Sequence, residues 1–212
     1  MGSGFFSSSI GRKIVVALAG LLLCLFLVVH LAGNLLIFAG APTFNHYAAA
    51  LEHNPLLPAA EIGLLALFLL HILFSLKLRW ENHRSRPVGY AESASKGGRT
   101  PGSRTMLVSA LLLLAFLAVH IKTFRFGHPG DSLYRMVMTW FSNPYYSAFY
   151  VLSMAALALH LSHGVQSGFQ TLGLNHPRYT PIIRALGVAF AVALCTAFAA
   201  IPLWALLAGG AR

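Results

Sequence analysis

The sequence predicts an all-α integral membrane bundle of five transmembrane helices, with the N-terminus cytoplasmic. Three observations carry that expectation. The 212-residue chain is 57% hydrophobic and only 9% charged, where a soluble domain carries about 25% charged residues. Its apolar residues gather in five runs, each long enough to supply the roughly 20 residues that cross a bilayer. Eleven of its fifteen Lys and Arg fall on one side of those runs, the bias that sets membrane topology. The formal net charge of +10 therefore reports orientation. No basic stripe interleaved with aromatics points to nucleic acid.

The first span is expected from about Lys13 to Phe38, after a Gly-, Ser- and Phe-rich start, Met1 to Gly11. Its apolar run is too long for the h-region of a cleaved signal peptide, so we expect the start to be retained. Gly40, Pro42 and Asn45 break the connection to the second span, about Leu57 to Leu78. A long polar loop follows around Arg84 to Arg104, rich in Gly, Ser and Arg. The third span runs from about Thr105 to Phe124, and His128-Pro129-Gly130 turns the chain after it. An amphipathic piece around Leu133 to Phe141 fits the interface, where Trp140, Tyr145 and Tyr146 suit an aromatic belt. The fourth span covers about Tyr145 to Phe169, Asn175-His176-Pro177 breaks the next link, and the fifth covers about Ile182 to Leu207. Pro202 is expected to kink or fray the fifth. Inside hydrocarbon every backbone group must be paired within its own segment, so these spans are helices. There is no tandem repeat, and residues 1–212 read as one membrane domain. Cys24 and Cys195 both fall in apolar runs and read as packed thiols. The chain has no C-x-x-C-H, which excludes covalent c-type haem.

The basic residues assign the sides. Arg12, Lys13, the loop after the second span and the loop after the fourth place eleven on one side, against Lys122, Arg125, Arg135 and Arg212 on the other. The former side is taken as cytoplasmic, or inner.

Each of the first four spans contains a histidine: His30, His71, His120 and His160. An ionisable residue in a span is a functional-site hypothesis by default. With a rise of 1.5 Å per residue, His30 lies roughly 27 Å beyond Arg12, in the outer half. His120 stands two residues before Lys122, at the outer end of its span. His71 lies roughly 9 Å from the inner boundary near Lys77, and His160 roughly 22 Å into a span that begins outside. Depth pairs His30 with His120 and His71 with His160, although His163, one turn on, matches His71 slightly better. A single membrane histidine often just hydrogen-bonds a neighbouring helix. Four that sort into depth-matched pairs point to axial ligands of two haems, built from side chains on facing helices. The small residues Ala32, Gly33, Ser75 and Gly164 leave room for a planar macrocycle, and serve plain helix packing equally well.

The stretch SSSIGRKIVVALAGLLLCLFLVVHLAGNLLIF (Ser7 to Phe38) resembles the opening of the single-chain, five-helix cytochrome b subunits of bacterial succinate:quinone oxidoreductases. HLSHGVQSGFQTLG (His160 to Gly173) resembles their fourth helix, and FNHYAAAL (Phe44 to Leu51) also fits. The resemblance covers all five spans in order. It implies two haem b groups with bis-histidine ligation, menaquinone or another quinone as substrate, and residence in the bacterial cytoplasmic membrane. It also implies a flavoprotein and an iron–sulfur protein docked on the cytoplasmic face, carrying FAD, the clusters and the succinate chemistry. Its H-x-x-x-G pattern on the fourth helix favours His160, followed by Gly164, and leaves His163 as a propionate-contact candidate. His30 and His120 would then hold the outer haem, and His71 and His160 the inner one.

Several polar residues are candidates around such sites. Glu61, on the outer half of the second span, is the candidate acid for quinone reduction, and Asn34 a candidate quinone contact. Lys122 and Arg125 outside, and Arg12, Lys13, Arg79 and Arg178 inside, are candidates for haem propionates. A solvated or headgroup-facing role stands beside each. His46, His53, His83, His128 and His176 are expected in solvated loops. Two other functions fit parts of the pattern. One is the di-haem cytochrome b of a hydrogenase or formate dehydrogenase; the other is a haem-free transporter or scaffold whose histidines pack or relay protons.

Overall fold

A computed structural model describes residue 4 and residues 8–85, 100–127, 130 and 132–209. Outside them lie most of the N-terminal start, the basic loop at 86–99 with Arg86, Lys96 and Arg99, His128 and Pro129 of the expected turn, and Arg212.

All five spans form, and the described residues contain no strand. The spans are α1 (Ser9–Leu35), α3 (Leu57–Arg84), α4 (Pro101–Phe124), α6 (Pro144–Thr171) and α7 (Thr180–Gly209). A 3₁₀ turn, Leu36–Ala39, extends α1. Two short helices lie between spans, α2 (Ala41–Glu52) and α5 (Leu133–Phe141). The chain is thus a multi-pass membrane protein by the length and composition of its helices.

Local sequence sets the helix ends. Ser8 accepts from Gly11 N at 3.0 Å to start α1. Thr100 and Ser103 form a reciprocal capping box at α4, with Pro101 in its first turn. Asn143 Oδ1 accepts from the backbone N–H of Tyr145 and Tyr146 at α6. The far end of α6 closes on Gly173, whose φ of 97° places it in the left-handed region. There Leu174 N donates to Phe169 O and Gly173 N to Gln170 O, at 3.0 and 3.1 Å, which is a Schellman closure.

The structure departs from the sequence expectations in two places. Residues 41–52 form a helix where Gly40, Pro42 and Asn45 read as breakers. Gly40 turns the chain at φ 93°; Pro42 then sits in the first turn, where its missing N–H costs no hydrogen bond. α3 continues beyond Leu78 to Arg84, so His83 lies in a helix rather than a loop, as does His46 in α2; both are exposed. α7 runs through Pro202 to Gly209 without ending there.

α1 and α6 form the centre of the bundle. α3 packs along α1, α4 along α6, and α7 along α6 and α1. Met154 and Leu161 of α6 bury against Ala191, Leu194 and Cys195 of α7. A second apolar cluster closes the end of the bundle that carries Arg125: Ile37, Phe44, Val137, Phe141, Tyr150, Ile201 and Ala205. The two short helices join there, because Asn45 Nδ2 donates to Ser132 Oγ and Asn45 Oδ1 accepts from Tyr134 N, both at 2.9 Å. Both cysteines are free thiols.

Candidate functional site

The four span histidines lie on four different helices and meet in two pairs. His30 of α1 faces His120 of α4 with ring centroids 5.9 Å apart and planes at 88°. His71 of α3 faces His160 of α6 with centroids 6.4 Å apart and planes at 69°. Depth along the spans predicts the first pair; for His71 it leaves both His160 and His163, and the H-x-x-x-G pattern of the resemblance favours His160. Neither α1 with α4 nor α3 with α6 packs extensively backbone to backbone. Each histidine pair therefore spans a gap between helices that do not otherwise close on one another.

Two imidazoles on opposite sides of one metal ion have centroids about 6.4 Å apart, from metal–nitrogen bonds of about 2.0–2.1 Å and about 1.1–1.2 Å from nitrogen to centroid. Rings in simple aromatic contact also fall at about 4.5–7 Å, so spacing alone does not discriminate. The ring nitrogens add a second observation, shared by ligating and plainly packed membrane histidines. His71 Nδ1 lies 3.2 Å from the carbonyl oxygen of Val16. His120 Nδ1 lies 3.2 Å from the Tyr150 hydroxyl. His160 Nδ1 lies a longer 3.4 Å from Ser109 Oγ, whose own hydrogen is committed to Met106 O at 3.1 Å. In all three the partner can accept from Nδ1–H. By its chemistry only the Val16 carbonyl is restricted to accepting; where Nδ1–H donates, Nε2 is left free, as for a metal-bound imidazole with an outer acceptor. His30 differs: the Asn34 amide lies 3.4 Å from both ring nitrogens and donates to the His30 carbonyl at 2.8 Å.

Packing shapes both pairs. A Cβ on Gly20 of α1 would come within 3.1 Å of His71 Cε1, so the missing side chain admits the ring beside Val16. A Cβ on Gly164, one turn beyond His160, would meet nothing within 4 Å. Gly33, by contrast, is covered by the ring of Tyr47. Phe26 stacks on His30 and Phe116 on His120, at 5.2 and 5.5 Å between centroids.

His163 lies with its Cβ against Gly102 at the start of α4. Its Nδ1 is buried and has no hydrogen-bond partner among the described residues. Among those residues no three of His, Cys, Asp and Glu converge as a site for a bare metal ion.

The charged candidates separate into paired and exposed groups. Arg12, almost wholly buried, meets Glu81 of α3 at 2.6 Å and ties the start of α1 to the end of α3. Arg125 makes two hydrogen bonds to Glu61, at 2.6 and 3.0 Å, joining the end of α4 to the start of α3. The hydrogen bonds and charge of Glu61 hold the Arg125 guanidinium above its ordinary range. Lys13 borders a shallow open groove between α1 and α6, with Ser167, Gln170 and Thr171. Arg79, Lys122 and Arg178 are exposed.

Val16, Gly20, Ser109 and Tyr150 were not among the candidates read from the sequence. The carbonyl of Val16 has no side-chain signature. Tyr150, however, follows Tyr146 by one helical turn in an apolar run, and that i, i+4 pair of hydroxyls was a legible signal. No protein-family model, no curated protein and no solved structure matches this chain.

Proposed function

We propose that the chain is a di-haem cytochrome b, the membrane anchor of a succinate:quinone oxidoreductase. The observation that carries this reading is the meeting of His30 with His120 and of His71 with His160, at 5.9 and 6.4 Å. Supporting it are the outward Nδ1 contacts of His71, His120 and His160, and the open space at Gly164. The orphaned Nδ1 of His163 suits a propionate carboxylate. These residues fit two b haems.

Bound there, the haems would supply one-electron redox chemistry at two depths, between an iron–sulfur partner on one face and quinone within the membrane. The chain's own residues do the rest. His71 and His160 would ligate near the Arg12 end, and His30 and His120 near the Arg125 end. Holding each haem by two imidazoles, these residues would direct it to electron transfer and away from oxygen chemistry. The apolar cluster around Phe141 and Tyr150, which includes Phe116 and Phe124 beside His120, would limit the access of water to the second pair. Lys13 and Arg79 at one end, and Lys122 at the other, stand as candidate headgroup or propionate contacts. Arg12 and Arg125 are engaged by Glu81 and Glu61, so Glu61 must part from Arg125 before it can serve a quinone.

On this reading the basic end faces the cytoplasm. It docks a flavoprotein and an iron–sulfur subunit, which carry the FAD, the clusters and the dicarboxylate chemistry. The resemblance of residues 7–38 and 160–173 to that family, and the bias of Lys and Arg, support the assignment.

The test is a reduced-minus-oxidised spectrum with haemochrome quantification on the purified, folded chain. The expected result is two b haems per chain, with one lost on replacing His30 or His120 and the other on replacing His71 or His160. A folded preparation without haem would sink the proposal.

A further inference from the structure

We propose that Tyr150 is a positioning residue: through a one-way hydrogen-bond chain from His120 to Tyr146, it sets the orientation and donor strength of His120. The inference rests on the haem reading above.

Tyr150 lies within α6 and its side chain is 6% exposed. A hydroxyl at that depth must find partners in the protein. It has two: His120 Nδ1 at 3.2 Å and the Tyr146 hydroxyl at 3.0 Å. Ligation through Nε2 leaves the proton on Nδ1, so His120 donates and the Tyr150 oxygen accepts. The single Tyr150 hydrogen then goes to the Tyr146 oxygen. The order of donors is fixed along the chain, and it runs toward the Arg125 end of the bundle.

The rings hold this chain in place. Phe116 and Phe141 stand nearly perpendicular to the Tyr150 ring, with centroids at 5.0 and 4.9 Å. Tyr146 rests on Trp140 at 4.9 Å. Among the described residues His30 has no equivalent acceptor, because its polar neighbour there is the Asn34 amide nitrogen, a donor. Control of this pair therefore falls on His120. The other pair uses a backbone carbonyl and a serine, so the tyrosine device belongs to one site of the two.

An acceptor at Nδ1–H raises the electron density at Nε2 and favours the oxidised metal. Removing the Tyr150 hydroxyl should favour the reduced form at that site alone. The experiment is a redox titration of the purified full-length chain, followed optically and by electron paramagnetic resonance, for the parent, Tyr150→Phe and Tyr146→Phe. Two haems should remain in each protein. In Tyr150→Phe one component should gain about tenfold in its reduced-to-oxidised ratio at fixed potential, about 59 mV for one electron. Tyr146→Phe should move the same component by a smaller factor, and the other component should stay put. Two haems with both components unmoved in both variants would overturn the tyrosine proposal and leave the haem reading intact. A parent chain without haem would overturn both. Should Tyr150→Phe lose its haem, Tyr146→Phe, which keeps the His120 contact, decides: a shift of one component supports the proposal and no shift refutes it.

Discussion

Replacing Gly20 by alanine separates a histidine held for ligation from one that merely packs. The added Cβ would stand 3.1 Å from His71 Cε1 and 3.3 Å from Nδ1, inside the about 3.5–4.0 Å of comfortable carbon contact. The ring must retreat by a few tenths of an ångström. Its bond to the Val16 carbonyl is already 3.2 Å long, at the limit of good N–H···O geometry. Losing that bond costs about 0.5–1.5 kcal/mol, while alanine in place of glycine returns about 0.5–1 kcal/mol to the helix. The two nearly cancel, so the haem-free chain should unfold within about 1 kcal/mol of the parent. Haem retention should respond far more, because an outer partner of a metal-bound imidazole is worth about 10–100-fold in affinity. The assay is thermal unfolding by circular dichroism alongside haemochrome content and haem-loss kinetics. We expect near-parental unfolding and selective loss of the His71/His160 haem. Gly63→Ala on α3 is the control, since a Cβ there meets nothing within 4 Å. Parental haem affinity in Gly20→Ala, or the same loss in Gly63→Ala, would refute the reasoning.

Three further substitutions probe the rest of the arrangement. Gly164→Leu should leave haem-free folding unchanged, because a Cβ there meets no atom within 4 Å; the leucine should still displace the haem beside His160, and two haems retained would mean the space is not used. Arg12→Met should cost about 1.5–3 kcal/mol, the worth of a hydrogen bond to a charged group, in detergent-induced unfolding. A change below about 0.5 kcal/mol would show that the Arg12–Glu81 pair does not clamp α1 to α3. Arg125→Gln should cost less than about 1 kcal/mol, because the Arg125–Glu61 pair is 58% and 37% exposed; thermal midpoints in low and high salt would measure it, and a larger, salt-independent loss would contradict the exposed geometry.

The spans were legible because each is a continuous apolar run, and α5 because its nine residues are amphipathic between clear punctuation. α2 was not, because a glycine followed by a proline reads as a break. The same two residues open a helix when glycine takes a positive φ and proline falls in the first turn. The pairing of His30 with His120 followed from the constant rise of a helix, which turns sequence distance into depth; His160 over His163 followed from the H-x-x-x-G resemblance. What depth could not supply was the partner of each charge. Glu61 and Arg125 are 64 positions apart, and Arg12 and Glu81 are 69 apart. Glu61, Arg125 and Arg12 therefore read as lone candidates for cofactor or quinone contacts until tertiary structure matched each with an opposite charge. The acceptors for His71 and His160, a main-chain carbonyl and a serine in a leucine run, were equally silent.

α3 shows why the proposed haems would belong to the fold as well as to the function. It carries no buried residue and packs extensively along α1 alone. Between helices in hydrocarbon there is no hydrophobic drive, only close packing and polar contacts. For α3 these are its packing along α1 and, among the described residues, the polar contacts of the Arg12–Glu81 pair at one end, the Arg125–Glu61 pair at the other, and His71 against Val16 between them. Nothing comparable joins α3 to α6, although His71 and His160 face each other across that gap. A group clasped between those two rings would supply the missing contact, and its binding free energy would then be folding free energy. The same holds for α4, which packs along α6 but reaches α1 chiefly through His120 and His30. On the proposed function, each haem would tie a flanking helix to the far member of the central pair, so its binding would add to the stability of a bundle that already packs without it.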